Sequence, residues 1–314
     1  MKFLILSLLF IFFGSLIFII PAFTIYEAPY NSVEFFEKVQ PSKINLSNPE
    51  MSRLPLKEGT QQIIIWSKNR QNIPADKVIS FIHGFTGNRS EMDPFISELQ
   101  NDIDANLFYA RLPGHGLLDG KIQSVTVSDW FYSVLDIWSY SKELGKKRIY
   151  IGLSTGAGIS LMIAQKYDPE ACLVLVSPNF ALKNKWTGIL SGRLGYPILG
   201  ALVGLGTNDF YTVYPPETHP MNSPLIDSAS INQFLEITRI FRTTDWSNLQ
   251  NQILVIHAPD DDVVDTDIIR KKLSGPNVQI LEMGRGHNLF DWKSIEQTKV
   301  LKTTIVSFIN ERCN

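Results

Sequence analysis

The stretch Tyr150–Ser160, YIGLSTGAGIS, decides the fold, because it places a serine between two glycines at the end of an apolar run. The apolar residues before Ser154 predict a buried strand, and the residues after it predict a helix. A sharp turn from strand to helix brings neighbouring backbone close, which favours residues without side chains at Gly152 and Gly156. Such a turn lifts the serine hydroxyl clear at the carboxyl edge of a sheet. The alternative is a glycine-rich turn that serves packing alone.

The chain on both sides of this turn alternates short apolar runs with helical patterns. Strands are predicted at 61–67, 77–83, 106–110, 148–154, 172–178, 252–259 and 278–284, and helices at 89–102, 127–147, 157–167 and 294–312. Within the first helical pattern, Ser90 and Asp93 have the spacing of a capping box. Strands this apolar are buried on both faces. Their alternation with helices predicts an α/β fold with a mainly parallel β-sheet and helices on both faces.

Composition limits the classes of function. The chain has 314 residues, 44% of them hydrophobic, and a formal net charge of -2, so one large core is possible and no basic excess points to nucleic acid. Its two cysteines are Cys172 and Cys313. Cys172 lies in an apolar run and is predicted to be a small buried hydrophobic residue. Two cysteines indicate neither a disulfide framework nor a zinc site.

Residues 1–25 differ from the rest, because Lys2 is the only charged residue before Glu27. A helix over Phe3–Ile20 would be about 27 Å long, close to the thickness of the hydrocarbon core of a bilayer. The apolar run is longer than that of a typical signal peptide and lacks a good cleavage site. We therefore expect an N-terminal transmembrane helix, with Lys2 on the cytoplasmic side and the rest of the chain exported. The alternative is a secreted or periplasmic protein after signal cleavage.

The remaining chain divides into a tether and one large domain. Residues 26–59 contain prolines and mixed charge without a sustained period, as is typical of a tether. Residues 60–314 form the predicted domain. Within it, the alternation of strands and helices stops at about 179–245, where the apolar, glycine-rich segment KWTGILSGRLGYPILGALVGLG occupies residues 185–206.

Ser154 needs a base before its hydroxyl becomes a nucleophile, and histidine is the usual one. The chain has five histidines, at positions 83, 115, 219, 257 and 287. If the nucleophile, acid and histidine follow one another along the chain, the base must lie late, which favours His287 in the loop after the last predicted strand. The acid should follow the strand at 252–259, where three aspartates are consecutive, Asp260, Asp261 and Asp262. The pattern alone leaves the choice among them open.

Five segments carry a resemblance to a known family: SFIHGFTGN, ARLPGHG, GLSTGAG, VIHAPDDDVV and GRGHNLF. In order and approximate spacing they resemble the α/β-hydrolase superfamily, in its branch of bacterial carboxylesterases and monoacylglycerol lipases, which is grouped with serine aminopeptidase-like hydrolases. The resemblance runs from about Ile63 to the C-terminus. It implies a triad of Ser154, Asp261 and His287, with Asp262 as the second choice for the acid.

The resemblance also implies an oxyanion hole made by the backbone N–H groups of Phe85 and Thr155. Close approach of the first loop would explain the glycines at positions 84 and 87. The family positions matched by His83 and His115 shape the site without titrating in catalysis. No metal or organic cofactor is implied. The insertion at 179–245 is expected to be a cap whose apolar residues bind an acyl chain, although core packing or contact with the membrane would also explain them.

Together these features predict a serine hydrolase that cleaves carboxylic esters through an acyl-enzyme intermediate. The expected substrates are short- or medium-chain acyl esters or monoacylglycerol-like lipids, with the membrane as a further partner through the N-terminal segment. One alternative is an amidase or aminopeptidase with the same triad. Another is a catalytically silent binding protein of the α/β-hydrolase fold, because a fold does not fix a function.

Overall fold

A computed structural model describes residues 44–47, 55–68, 70–122, 125–184, 210–212, 221–287, 289 and 295–313. Its strands are β1 Ile63–Ile65, β2 Ala75–Ile82, β3 Asn106–Tyr109, β4 Lys121–Ile122, β5 Gly145–Leu153, β6 Cys172–Val176, β7 Phe210–Thr212, β8 Leu225–Asp227, β9 Ile253–His257 and β10 Val278–Glu282. Its helices are α1 Phe95–Asp102, α2 Val127–Leu144, α3 Thr155–Lys166, α4 Ser228–Thr243, α5 Ile269–Lys272 and α6 Ile295–Arg312.

The central sheet has seven strands in the order β1-β3-β2-β5-β6-β9-β10. Only the edge strand β1 is antiparallel to its neighbour, and the other five pairs are parallel. Parallel strands end at the same edge, so the loops that follow β2, β5, β6, β9 and β10 meet at the carboxyl edge of this sheet. The predicted strands all formed within a few residues of their expected limits.

Two apolar clusters cover the two faces of the sheet, because successive strand residues point to opposite sides. On β2, Val78 and Ile82 face the cluster that contains helices α2, α3 and α4, whereas Ile79 and Phe81 face the cluster of α1 and α6. All four residues are fully buried. The prediction of an α/β fold with a mainly parallel sheet and helices on both faces is confirmed.

The region after β2 differs from its prediction. The expected capping box of Ser90 and Asp93 is wrong, because this segment divides into a short 3-10 turn, Arg89–Glu91, and the helix α1. Pro94 lies at the boundary, and proline both lacks an N–H group and disfavours helical backbone at the residue before it. The side chain of Asp93 instead accepts hydrogen bonds from the hydroxyls of Ser97 and Tyr109, at 2.6 and 2.8 Å.

The described part of the predicted cap contains β7, β8 and α4. The strands β7 and β8 form a second, three-stranded sheet with β4, in the order β4-β8-β7. Because β4 lies between β3 and α2, this small sheet connects the cap region to the main domain. The apolar segment at 185–206 lies outside the described residues, as do residues 1–43 with the predicted membrane anchor and most of the tether. None of the helices in the described ranges combines the length and the apolar character needed to cross a bilayer.

The two cysteines form a disulfide, with their Cα atoms 5.7 Å apart. Cys172 is buried as predicted, but it is not simply an apolar residue, and the sequence pattern did not indicate this bond. Cys172 begins β6, and Cys313 follows α6, which packs across the sheet so that its end lies beside the start of β6. The two positions are 141 residues apart, and their proximity depends on the whole fold.

Replacing both cysteines with serine should lower the free energy of unfolding by about 2–4 kcal/mol, because a cross-link over a long loop restricts the unfolded chain. Urea unfolding with and without a reductant gives the measurement. The reductant should bring the wild-type protein to the stability of the double variant and leave that variant unchanged. Equal stability of the oxidised wild-type protein and the variant would contradict the pairing.

Candidate active site

Ser154 occupies a tight turn between β5 and α3. Its backbone has φ 55 and ψ -111, a region that residues other than glycine rarely adopt. Its N–H donates to the carbonyl of Val176 at 2.8 Å, and its carbonyl accepts from the N–H groups of Ala157 and Asn179 at 3.1 and 3.2 Å. These bonds hold the unfavourable conformation in place, as expected where backbone strain occurs at a functional site.

The two flanking glycines are required by close backbone contacts. A Cβ atom at Gly152 would lie 2.4 Å from the carbonyl oxygen of Gly156, and a Cβ at Gly156 would lie 2.0 Å from the carbonyl oxygen of Ile82. Both distances are far below van der Waals contact, so any side chain would force the turn apart. The expectation that neighbouring chain excludes side chains at these positions is confirmed. The hydroxyl lies beside the first turn of α3, whose N–H groups have no acceptor within the helix.

Asp261 and His287 form a hydrogen-bonded pair. The Nδ1–H of His287 donates to the carboxylate, with Nδ1 at 3.0 Å from Oδ2 and 3.2 Å from Oδ1. The N–H groups of Val263 and Val264 donate to Oδ1 at 2.9 and 3.0 Å. Burial acts to raise the pKa of Asp261, but the hydrogen bond and charge of His287 and the two amides outweigh it and hold this pKa below its ordinary value. The ionised carboxylate therefore fixes the imidazole tautomer with Nε2 able to accept a proton.

The neighbouring aspartates behave differently. Asp262 is exposed, and the structure brings Asp261 rather than Asp262 to the imidazole. Asp260 accepts a hydrogen bond from the N–H of Gly286 at 3.0 Å, which ties the acid loop to the residue before His287. The sequence pattern did not indicate this second connection.

Ser177 links the loop of His287 to the turn of Ser154. Its hydroxyl donates to the carbonyl of His287 at 2.7 Å. Ser177 directly follows Val176, whose carbonyl accepts the N–H of Ser154 at 2.8 Å. The loops after β5, β6 and β10 are thus held together at the carboxyl edge of the sheet. Sequence reasoning missed Ser177, because nothing in its local pattern distinguishes it from other residues at a strand end.

The loop after β2 presents the amide of Phe85. On one side the N–H of Gly84 donates to Oε2 of Glu91 at 2.9 Å, and on the other the N–H of Thr86 donates to Nε2 of His115 at 3.2 Å. Within the described part of the chain, the N–H of Phe85 has no hydrogen-bond partner. The loop therefore uses the amides on both sides for its own structure and leaves the predicted oxyanion donor unoccupied.

Two buried histidines, His83 and His115, form hydrogen bonds to the backbone of this loop. Nε2 of His83 accepts from the N–H of Leu112 at 3.0 Å, so its Nδ1–H donates to the carbonyl of Gly84 at 2.8 Å. The Nδ1–H of His115 donates to the carbonyl of Pro113 at 2.8 Å. Burial lowers the pKa of His115 to about 4 and places the pKa of His83 well below its ordinary value. Both rings are neutral at pH 7 and serve as fixed hydrogen-bonding groups.

Glu91 completes the surroundings of the loop. Burial raises its pKa to about 7, against the opposing effect of the Gly84 N–H. A Cβ atom at Gly87 would lie 2.0 Å from its Cδ atom, which explains the glycine at that position. Sequence reasoning attributed Gly87 to close approach of the loop and did not identify the partner. In the described ranges, no group of three or more His, Cys, Asp and Glu side chains is arranged to hold a metal ion.

Comparison with known proteins gives two curated relatives with partial matches. A carboxylesterase of Bacillus subtilis (strain 168) is 25% identical over 124 residues, which are 38% of this chain and 50% of the relative. A thermostable monoacylglycerol lipase of Bacillus sp. (strain H-257) is 29% identical over 94 residues, 30% of this chain and 37% of the relative. The chain therefore spans half or less of the length of the curated relatives it matches.

Solved structures share the architecture. A structure from work on two metagenome-derived lipolytic enzymes, LipS and LipT, superposes with a TM-score of 0.63 and 16% identity, over 82% of this chain and 100% of its own. At this identity the likeness shows the fold alone, which is the α/β-hydrolase fold.

A family comparison covers a larger part of the chain. The family described as serine aminopeptidase, S33, matches residues 73–274, a range that begins just before β2 and ends after α5. The range includes Ser154, Asp261 and the loop of Phe85, and His287 follows it closely. Because the match extends over more than half of the 314 residues, this chain belongs to the serine aminopeptidase, S33, family of α/β hydrolases.

Proposed function

We propose that this protein is a serine hydrolase that cleaves carboxylic esters through an acyl-enzyme intermediate. The observation that supports it most is the pair of an ionised, buried Asp261 and His287, tied through Ser177 to the turn that presents Ser154. A histidine held in one tautomer by a carboxylate is what a serine hydroxyl needs to become a nucleophile.

The proposed reaction begins when Nε2 of His287 takes the hydroxyl proton of Ser154 and the serine oxygen attacks the ester carbonyl. The N–H groups of Phe85 and Thr155 stabilise the negative charge that develops on the carbonyl oxygen. His287 then gives its proton to the leaving alcohol. A water molecule, deprotonated by His287, attacks the acyl-enzyme. His287 then returns this proton to the oxygen of Ser154 as the bond between that oxygen and the acyl carbon breaks and the acid leaves.

The proposed substrates are short- or medium-chain acyl esters or monoacylglycerol-like lipids. The carboxylesterase and monoacylglycerol lipase among the relatives support this class. So does the aromatic surface above the oxyanion loop, where the ring of Phe85 stacks on Phe234 of α4 with centroids 4.0 Å apart. The cap at 179–245 would add the rest of an acyl-binding surface. An amidase or aminopeptidase with the same triad is the second candidate, which the description of the matched family supports.

A fluorophosphonate probe should label the wild-type protein at Ser154, and the variants Ser154→Ala and His287→Ala should not be labelled. Both variants should lose ester turnover by several orders of magnitude with the fold intact, because nucleophile and base act as one unit. Turnover should be measured with p-nitrophenyl esters of increasing chain length, monoacylglycerols and aminoacyl anilides. Preference for the anilides would favour the aminopeptidase, and an unlabelled wild-type protein would indicate a silent fold.

The two adjacent aspartates provide a matched pair of variants. Asp261→Asn should lower kcat by about 10⁴-fold, because a neutral amide no longer selects the histidine tautomer. Asp262→Asn should change kcat by less than about twofold, since its side chain is exposed. Steady-state ester hydrolysis with circular dichroism as a folding control gives the measurement. A severe defect in Asp262→Asn, with Asp261→Asn unaffected, would assign the role of the acid to Asp262.

We further infer that the catalytic domain acts on the exported side of a membrane, held there by residues 1–25 as a single-pass anchor. The disulfide between Cys172 and Cys313 supports export, because disulfides persist mainly in oxidising compartments. Secretion or release into the periplasm after signal cleavage is the alternative, and it fits the disulfide equally well.

The full-length protein should remain in the membrane fraction after carbonate extraction and should retain its N-terminal sequence. The variant Ile11→Arg tests whether this segment spans the membrane. A charge at the centre of a spanning helix costs about 3 kcal/mol, so less of the variant should be found in the membrane fraction. A soluble product that begins near residues 23–29 would show that the segment is a cleaved signal. That result would exclude a membrane anchor at residues 1–25 and would leave the proposed active site unchanged.

A further inference from the structure

The carboxyl group of Glu91 lies inside the turn that forms the oxyanion loop. Its Oε2 accepts the N–H of Gly84 at 2.9 Å. A Cβ atom placed on Gly84 would be 3.5 Å from that oxygen and 3.4 Å from Cβ of Ser154, so Oε2 is no more than about 7 Å from that Cβ atom. The mechanism described above does not use this group.

The same carboxyl packs against the other end of the turn. The N–H of Gly87 donates to the carbonyl of Gly84 at 3.1 Å, which closes residues 84–87 into a turn. A Cβ on Gly87 would lie 2.0 to 2.2 Å from the three atoms of the Glu91 carboxyl group. Only a residue without a side chain therefore leaves room for the carboxyl beneath the loop.

Two consecutive peptide planes fix the direction of the Phe85 amide. The carbonyl of Gly84 and the N–H of Phe85 belong to one rigid plane and point in opposite directions. That carbonyl accepts from Nδ1 of His83 at 2.8 Å and from the N–H of Gly87 at 3.1 Å. The preceding plane carries the N–H of Gly84, which Glu91 holds. Gly84 joins these two planes, and the backbone dihedral angles of a glycine are little restricted. Each plane is therefore held by its own hydrogen bonds.

We propose that Glu91 is a positioning residue of the oxyanion loop, which holds the Gly84 amide so that the next amide, that of Phe85, points at the carbonyl oxygen of the substrate. The role rests on the proposed hydrolase function. It gives Glu91 a part in stabilising the transition state without contact with the substrate.

The protonation state of Glu91 should matter as well. Within the described residues the Gly84 amide is its one hydrogen-bond partner. His83 and His115, which bond to Gly84 and Thr86 of the same loop, are neutral. Arg89, two residues before Glu91 in the chain, pairs with Asp93. Burial raises the pKa of Glu91 to about 7. An ionised carboxylate this close to a developing oxyanion opposes it, so the neutral form should be the faster one. At an effective dielectric constant of about 20 and a separation of about 8 Å, the charge should lower kcat/KM by roughly 30-fold.

The test compares Glu91→Ala with Glu91→Gln in the full-length protein, with Glu143→Gln as an exposed control. Glu91→Ala should lower kcat by about 10- to 100-fold with KM within about threefold, because an oxyanion contact acts in the transition state. Glu91→Gln should keep kcat at pH 7 within about threefold, because its amide oxygen still accepts the Gly84 N–H. The wild-type protein should show a decline in kcat/KM above pH 7, and this variant should lack it.

Gly87→Ala provides an independent check. The new methyl group should push the Glu91 side chain out of the turn and reproduce the kinetic defect of Glu91→Ala. In the Glu91→Ala background the same change should add less than about twofold, because the two substitutions act through one contact. Additive effects of the two substitutions would overturn the role, as would a Glu91→Gln variant as slow as Glu91→Ala with an unchanged pH profile.

The rate of fluorophosphonate labelling separates this role from the hydrolase function, because it requires no knowledge of the natural substrate. A wild-type protein that reacts, with Glu91→Ala reacting about 10-fold or more slowly, supports the role. A Glu91→Ala variant that reacts as fast as the wild-type protein overturns the role alone. A wild-type protein that does not react overturns the hydrolase function and the role together.

Discussion

The close approach of helix α3 to the end of strand β2 is the constraint on which the candidate site depends. At Gly156 the helix backbone lies so near the carbonyl of Ile82 that a methyl group would not fit between them. Ser154 precedes that first turn, and the oxyanion loop follows Ile82 directly. This one backbone contact therefore limits the distance between Ser154, the proposed nucleophile, and the Phe85 amide, and Gly156 contributes to the site through packing.

Charge is distributed over the site by burial and by specific partners. Asp261 keeps its charge although it is buried, because a histidine and two amides compensate the loss of water. For His83 and His115, burial outweighs the hydrogen bonds to backbone carbonyls, so both rings remain neutral, which suits them to hold backbone groups. Glu91 is intermediate in its protonation state, because one amide compensates only part of the effect of burial on its pKa. The same physical terms thus yield a fixed anion, two fixed neutral rings and one group that titrates near neutrality.

The sequence predicts those parts of this site that depend on local pattern. The turn at Ser154 follows from apolar residues before it and glycines on both sides, and the parallel sheet follows from the alternation of strands and helices. The pairing of Cys172 with Cys313 and the contacts of Ser177 and Glu91 join segments that only the complete fold brings together. The break between Arg89–Glu91 and helix α1 is different, because Pro94 is a local signal for it. The spacing of Ser90 and Asp93, which is typical of a capping box, competes with that signal.

Strand β6 runs from the disulfide to the turn of Ser154. Its first residue, Cys172, is bonded to Cys313, and its last residue, Val176, accepts the amide of Ser154. Cys172 and Val176 are four steps apart along the extended strand, a separation of about 13 Å. The disulfide therefore acts at the amino edge of the sheet, whereas all proposed chemistry occurs at the carboxyl edge. A cross-link in this place restrains the unfolded chain and leaves the loops at the opposite edge free to accommodate a substrate.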